Sequence, residues 1–344
     1  MDPVDQNLTS DFFMAEPISS LDELKANPTS VRSIFEVFIL KIQKKFCLAL
    51  EAFEKKSSDS TPASSFIADR WLRKEGGGGI SCVLQDGQVF EKAGVNVSVV
   101  TGKLSKEAVA QMKKQHKDIQ LDEGRELPFF AAGISSVIHP KNPHVPTVHF
   151  NYRYFEIEGQ HGTEWWFGGG TDLTPYTYDE DTFRHFHRSL KTACDAHDTS
   201  YYPKFKAECD DYFFIKHRGE RRGVGGIFFD DLNKPSLNDC FNFIQSCAET
   251  VIPCYIPIVE KNYLKPYQPD NRRWQLLRRG RYVEFNLVYD RGTKFGFFTP
   301  GARIESILIS LPLHASWEYM HQPVNGSDED KLMSVLKEPK DWVC

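Results

Sequence analysis

The run from His139 to Glu156 gathers the residues best suited to chemistry: His139, His144 and His149, with Asn151 and Arg153 close behind. Imidazole exchanges protons near neutral pH. A guanidinium grips carboxylates through two parallel hydrogen bonds. From Val145 onward apolar and polar residues alternate, as on a strand, where successive side chains point to opposite faces. Val148, Phe150, Tyr152 and Tyr154 fall on one face. Thr147, His149, Asn151 and Arg153 fall on the other. A merely solvated face would favour Lys, Glu and Thr. A row of His, Asn and Arg points instead to a strand with its back in the core and its front toward a polar ligand.

Further candidates lie downstream. Gly168-Gly169-Gly170 leads into Thr171-Asp172-Leu173-Thr174-Pro175, which is expected to set a carboxylate at a tight turn. There Asp172 either meets a ligand or supports the turn. Arg281 to Gly292 reads as a second strand, with Val283, Phe285, Leu287 and Tyr289 on one face and Glu284, Asn286 and Asp290 on the other. Asp290 and Arg291 at its end are either site residues or a structural ion pair. His139, His149, His187 and His217 offer metal-ligand chemistry, but none sits in a compact ligand motif. Neither Gly76–Gly79 nor Gly168–Gly170 has the spacing of a phosphate loop or a dinucleotide fingerprint.

These groups need a scaffold. Val31 to Lys56 reads as an amphipathic helix, because Ile34, Phe35, Phe38, Ile42, Phe46, Leu50 and Phe53 recur at helical spacing. Strands are expected at 80–84, 88–91, 95–100, 129–138, 146–157, 164–167, 224–229, 282–289, 294–298 and 303–311. The first two would pair through Asp86-Gly87. Helices are expected at 104–117, 179–197, 202–218, 236–261 with breaks at Pro253 and Pro257, 271–279, and 328–336. Strands cluster without regular alternation with helices. The expected fold is therefore α+β, a large and mostly antiparallel sheet flanked by helices on both sides. Residues 1–28 are expected to be loose, and 29–344 to form one catalytic domain.

Composition narrows the function classes. A net charge of −5 gives no reason to expect nucleic acid or anionic lipid as a partner. No apolar stretch is long enough for a membrane span. The eight cysteines are scattered, without a C-x-x-C pair, and read as reduced thiols. The acidic N-terminus resembles neither a secretory signal nor a transit peptide, so a cytoplasmic location is expected. Aromatic residues make up 13% of the chain, enough to line a pocket for a large flat ligand or to build a large core.

Several long motifs, in order, resemble oxygen-dependent coproporphyrinogen III oxidases. They include 133–140, 142–156, Trp165 to Tyr176, Tyr202-Pro203-Lys204-Phe205-Lys206, Lys216-His217-Arg218, Arg222 to Asp231 and Gly280 to Gly301. The likeness continues through Arg303 to Leu308, Trp317 to His321 and Asp341-Trp342, covering about residues 30 to 344. It implies oxidative decarboxylation of two propionates of coproporphyrinogen III to vinyls, with O2 as oxidant and CO2 and hydrogen peroxide released. It also implies a homodimer, with its dimer strand region near 283–318. By resemblance His149 is the proton donor and Ser135 a substrate contact. Asn151-Tyr152-Arg153 and Gly301-Ala302-Arg303 are substrate-binding triplets, and Asp172, Asp290 and Arg291 are further active-site positions. Ala302 stands where some relatives carry Gly. His139, His149, His187 and His217 match positions read as metal ligands in bacterial relatives. No cofactor is expected beyond O2. Arg153, Arg291 and Arg303 would counter the propionates. Asp172 or Asp290 would take a pyrrole proton, which needs burial to raise its pKa toward neutrality. A metal-dependent oxidase and a non-catalytic tetrapyrrole carrier are the competing readings.

Overall fold

The computed structural model describes residues 1–57, 63–106, 109, 126–159, 162–298 and 302–343. The helix expected over 104–117 lies almost wholly outside them, as does Gly301. At its centre is a seven-stranded, wholly antiparallel sheet in the order β1-β2-β3-β4-β5-β6-β9. The strands are β1 (Ile67–Leu72), β2 (Gly77–Gln85), β3 (Phe90–Leu104), β4 (Leu127–Pro140), β5 (Thr147–Gly159), β6 (Gly162–Thr174) and β9 (Gly226–Leu232). A two-stranded ribbon, β7 (Phe214–Ile215) and β8 (Glu220–Arg221), stands apart. The expected strands 88–91 and 95–100 are parts of the single long β3.

Helices cover both faces. On the back lie α2 (Val31–Ser57) and α5 (Leu237–Asn262), with α3 (Glu180–Asp195) and α4 (Tyr201–Tyr212) packed beside α5 and β9. The apolar face of β5 supplies Phe150, Tyr152 and Tyr154 to this core. Phe46 of α2 meets Phe150 edge-on at 5.1 Å between ring centres, and Phe35 meets Phe167 at 5.8 Å. Such offset and edge contacts suit the ring quadrupoles. Helix α5 runs unbroken through Pro253 and Pro257, against expectation. Both prolines sit on its exposed side, while Val251, Cys254, Tyr255 and Ile258 are buried. Water therefore reaches the carbonyls that the missing N–H groups leave free.

The N-terminal segment is packed rather than loose. Val4, Leu8, Phe13 and Leu24 are buried in the main core, the last on the short helix α1 (Leu21–Ala26). Glu36 of α2 accepts from the backbone N–H of Ile18 and Ser19 at 3.0 and 2.9 Å.

Over the front of the sheet the sequence reading needs correction. Residues 282–289 are not a strand but the end of helix α6 (Pro269–Val288). Likewise 294–298 belongs to helix α7 (Arg291–Phe298), and 304–308 forms the short helix α8 (Ile304–Leu308). The expected dimer strand region is thus helical through its first half. In α6 the buried positions Trp274, Leu277, Arg278, Tyr282, Phe285 and Asn286 recur every three or four residues, a helical stripe that includes charge. Two buried ion pairs anchor it, Arg278 to Glu220 at 2.6 Å and Arg279 to Glu91 at 2.7 Å. Gly280 lets the chain at 316–317 come close, since a Cβ there would lie 2.5 Å from the Ser316 carbonyl oxygen. Helix α9 (Asp328–Lys337) closes the fold, as expected.

Candidate active site

Residues directly opposite one another in a sheet share a face. The register therefore lays out the front of the sheet. Asp69, Ser81, Asn96, Ser135, Asn151, Gly170 and Phe228 form one row from β1 to β9. The flanking row carries Val137, His149, Asp172 and Gly226, and the one on the other side Gly133, Arg153 and Gly168. Polar groups thus concentrate on the front of β3 to β6. His149 and Arg153 stand four residues apart on β5, about 13 Å along the strand.

At one end of this patch His149 Nδ1 lies 2.7 Å from Asp172 Oδ1. Asp172 is not at a turn. It sits within β6, opposite His149, and is buried. Behind it the buried Arg222 donates from Nη2 to both Asp172 oxygens at 3.0 and 3.1 Å, and from Nη1 to Asn286 Oδ1 of α6 at 2.9 Å. The Arg222 guanidinium also lies over the rings of Phe213, Tyr282 and Phe285, 3.9 to 4.9 Å from their centres. Burial pushes the Asp172 carboxyl upward, but the Arg222 charge and the His149 hydrogen bond outweigh it, and its pKa lies below the ordinary value. That corrects the expectation of a carboxylate base raised toward neutrality. A fixed carboxylate on Nδ1 holds the proton there and orients the ring. His149 Nε2 forms no hydrogen bond within the described residues and is the atom free to exchange a proton.

At the other end Asp230 of β9 joins two arginines. Arg153 Nη2 lies 2.9 Å from Asp230 Oδ1, and Arg291 Nη2 lies 3.3 Å from Oδ2. Arg153 also donates to Asn151 Oδ1 at 2.8 Å. Burial raises the Asp230 pKa, but the two guanidinium charges outweigh it and hold it below the usual carboxylate range. Gly168 is what lets this cluster form: a Cβ there would lie 2.6 Å from Arg153 Nη2 and 2.8 Å from Asp230 Oδ1. Gly168–Gly170 are strand residues, not a turn. Arg291 packs over Tyr212, whose ring stacks on Phe228 at 4.1 Å. Asp290 does not pair with Arg291. It accepts from the Tyr212 hydroxyl at 2.9 Å and from the Thr293 backbone N–H at 2.7 Å, fixing the start of α7.

The remaining expected positions are distributed. Ser135 stands mid-row between Asn96 and Asn151. Tyr152 turns its side chain into the core, where its hydroxyl bonds Thr171 Oγ1 at 2.6 Å, so only its backbone reaches the front. Arg303, just after Ala302, ion-pairs with Asp69 at the β1 edge and not with the Arg153 cluster. The segment it begins is laid over β2 and β3: Ser306 Oγ meets Ser81 Oγ at 2.9 Å, and Asn96 Nδ2 donates to the Ser306 carbonyl at 3.0 Å.

The four histidines do not converge. His139 is buried between Thr147 Oγ1 and the Ser310 carbonyl, at 3.1 and 2.9 Å. His187 is buried between the Tyr202 hydroxyl and the Val224 carbonyl, at 2.9 and 3.0 Å. His217 lies between the Tyr289 hydroxyl and Glu284. Among the described residues no group of three His, Cys, Asp or Glu is placed to hold a metal ion. The seven described cysteines are buried and free. Arg222, Asp230 and Asn96 were not singled out from sequence. Only their positions in the Arg222–Asp231 motif and in an alternating strand hinted at the first two and the third.

Comparison with known proteins agrees with these motifs. The coproporphyrinogen III oxidase family profile matches residues 34–342. The chain is 61% identical over 332 residues to an oxygen-dependent coproporphyrinogen-III oxidase of Drosophila melanogaster, covering 96% of this chain and 83% of that protein. It is 58% identical to the Homo sapiens oxygen-dependent coproporphyrinogen-III oxidase, mitochondrial, covering 96% and 71%. It is 53% identical to the chloroplastic enzyme of Glycine max, covering 95% and 83%. The organelles in those names differ from the cytoplasmic location expected here. No helix among the described residues is long and apolar enough to cross a membrane. With a profile that spans residues 34–342, most of the chain, and relatives this similar, the chain belongs to the coproporphyrinogen III oxidase family.

Proposed function

We propose that this protein oxidatively decarboxylates two propionates of coproporphyrinogen III to vinyls, giving protoporphyrinogen IX. For each side chain, one O2 takes up two electrons and leaves as H2O2, one CO2 departs, and a C–H bond at the propionate β-carbon is broken. The observation that carries the reading is the shared front face of β5, with an oriented imidazole at one end and a guanidinium pair at the other. A tetrapyrrole with carboxylate arms fits that separation. One propionate would lie against Arg153 and Arg291, competing with Asp230 for their donors. Phe228 and Tyr212 offer ring faces beside it.

In this reading His149 Nε2 takes the pyrrole N–H proton, while Asp172 stays anionic and stabilises the imidazolium. The electron-rich ring then adds to O2, and the resulting peroxide removes hydrogen from the β-carbon as CO2 leaves. As the ring C–O bond breaks, the hydroperoxide leaves as H2O2 with the proton from His149, and one proton from water, consumed for each propionate, restores the pyrrole N–H. Asp172 and Arg222 act through His149 and are positioning residues. Asp290 shapes the start of α7. The substrate itself supplies the electrons, so we read the reaction as needing no metal or organic cofactor. Exposed Trp317, Tyr319 and Met320 support a homodimer, which a monomeric sedimentation mass would overturn.

The test is turnover by chelator-treated, metal-assayed protein as anaerobic coproporphyrinogen III is opened to O2, followed by protoporphyrin fluorescence after oxidation of the product. Turnover at negligible metal supports the reading. Activity only after metal is restored removes the cofactor-free chemistry, and tight binding without O2 uptake leaves a carrier.

A further inference from the structure

Away from the sheet front, a recess of about 240 Å³ opens between α6, α9, the Arg218–Glu220 ribbon and the 321–323 segment. Its base is Arg278, whose side chain is only 3% exposed. Arg278 Nη1 donates to Glu220 Oε1 at 2.6 Å. Its Nε and Nη2 are buried and have no hydrogen-bond partner among the described residues. Those two donors form one edge of the planar fork, the edge that takes two oxygens of a carboxylate or phosphate in parallel. A neutral or hydrated surface has no use for such an edge at this depth, because a buried unpaired N–H is costly.

The walls add charge of the same sign. Arg218, Arg281 and Lys337 line the recess with Arg278, against the carboxylates of Glu220 and Asp330. Glu220 is committed to Arg278, and Asp330 Oδ2 accepts from the Gly326 backbone N–H at 3.0 Å. Arg218 and Arg281 both draw on one further carboxylate, Glu284, at 2.7 and 3.0 Å. Burial lowers the Arg281 pKa, and the Arg218 and Arg278 charges lower it further in spite of Glu284. His321 also lines the recess, its ring lying between two carboxylates, with Nδ1 3.5 Å from Glu318 and Nε2 3.9 Å from Glu329. None of these residues belongs to the candidate active site.

We propose that this recess is a second, small-oxyanion site that holds a phosphate-type dianion on the free Nε/Nη2 edge of Arg278, with Arg281 and Lys337 as additional donors. The volume suits a phosphate or a short phosphate monoester rather than a tetrapyrrole. The site needs no assumption about the reaction catalysed on the sheet.

The experiment is thermal unfolding of the full chain titrated with inorganic phosphate, at ionic strength held constant with sodium chloride. Wild type should show a saturable rise in Tm that chloride does not produce. Arg278→Lys keeps a charge for Glu220 but loses the fork edge, and should weaken the apparent Kd about tenfold. Lys337→Gln, at an exposed position, is the second variant and should weaken it less while leaving unliganded Tm and turnover unchanged. Arg153→Gln should respond to phosphate as wild type does. A parallel titration with glycerol 3-phosphate tells a free phosphate from an ester, and either supports the site. A wild-type response equal to that of chloride overturns the proposal. So does a response that Arg153→Gln abolishes and Arg278→Lys and Lys337→Gln preserve.

Discussion

Asp172→Asn separates the role of Asp172 from that of a general base or a turn residue. The side chain keeps its shape and loses its charge. Its amide nitrogen or oxygen then faces His149 Nδ1, and the carboxylate no longer fixes the Nδ1–H tautomer. Two unit charges about 4 Å apart interact by about 4 kcal/mol at an effective dielectric constant of 20. That energy is lost from the imidazolium when Asp172 becomes neutral, and about 4 kcal/mol corresponds to about a 10³-fold slower proton transfer. The substitution also strands Arg222, buried beside it. Breaking such a pair costs about 3–5 kcal/mol of stability, and the Asn286 contact and three ring faces put this site at the lower end. The expected outcome is a folded enzyme with lower Tm, kcat down about 10³-fold and KM within about threefold, because the Arg153–Asp230–Arg291 cluster is untouched. Steady-state O2 uptake and protoporphyrin formation, measured below the variant's Tm with folding checked by circular dichroism, give both constants. A folded variant that turns over at close to the wild-type rate refutes the argument.

Two contrasting glycines test the cluster and the sheet. Gly168→Ala pushes a methyl against the Arg153 and Asp230 side chains, so KM should rise about tenfold with kcat and Tm nearly kept, whereas Gly170→Ala meets the Ile227 carbonyl oxygen at 2.5 Å and should cost about 1–3 kcal/mol in stability; equal effects on KM would defeat the assignment. Stability should also fall in acid through His187, whose pKa is lowered to about 3 by burial. The unfolded chain binds that proton near pH 6.5 and the folded one does not, so stability present above pH 6.5 is lost progressively down to about pH 3, by about 2 kcal/mol at pH 5. Urea unfolding at pH 7 and pH 5 should show a shallower loss in His187→Gln, and identical losses would sink the idea.

Legibility in the sequence followed the match between residue type and burial. Strand β5 could be read to its individual side chains because its back is apolar and its front polar, so period two survives in the letters. Helix α2 was equally plain from its aromatic stripe. In α6 the same logic misled, since Arg278, Arg279 and Asn286 are buried by ion pairs and hydrogen bonds and count as surface in any apolar pattern. With those positions discounted, Val283, Phe285, Leu287 and Tyr289 mimic a strand. Residues 168–170 were misread for the converse reason. Glycine there does not bend the chain but leaves space for what crosses β6, the Arg153 guanidinium on one side and the Tyr152 ring on the other. The family motifs point to His149, Asp172 and Arg153 as site positions and the alternation in β5 puts His149 and Arg153 on one face, but neither places Asp172 opposite His149 or supplies the counter-ions that hold these groups.

Those counter-ions explain why the site needs the whole fold. Arg222 follows the β7–β8 ribbon, Asn286 ends α6, Asp172 lies in β6 and His149 in β5, and a continuous line of hydrogen bonds joins all four. Helix α6 is itself tied to the β3 carboxylate Glu91 through Arg279. A shift of α6 would therefore reach the imidazole through three successive hydrogen bonds, Asn286 to Arg222, Arg222 to Asp172 and Asp172 to His149, rather than through loose packing. Preorganisation of this kind is most valuable where charge develops during reaction, because fixed dipoles and charges need not reorient at the moment of proton transfer. A buried ion pair is an expensive way to gain stability, since desolvation offsets much of the attraction. On the proposed chemistry, the Asp172–Arg222 pair is better accounted for by the need to hold His149 in one tautomer and one orientation than by any net contribution to folding.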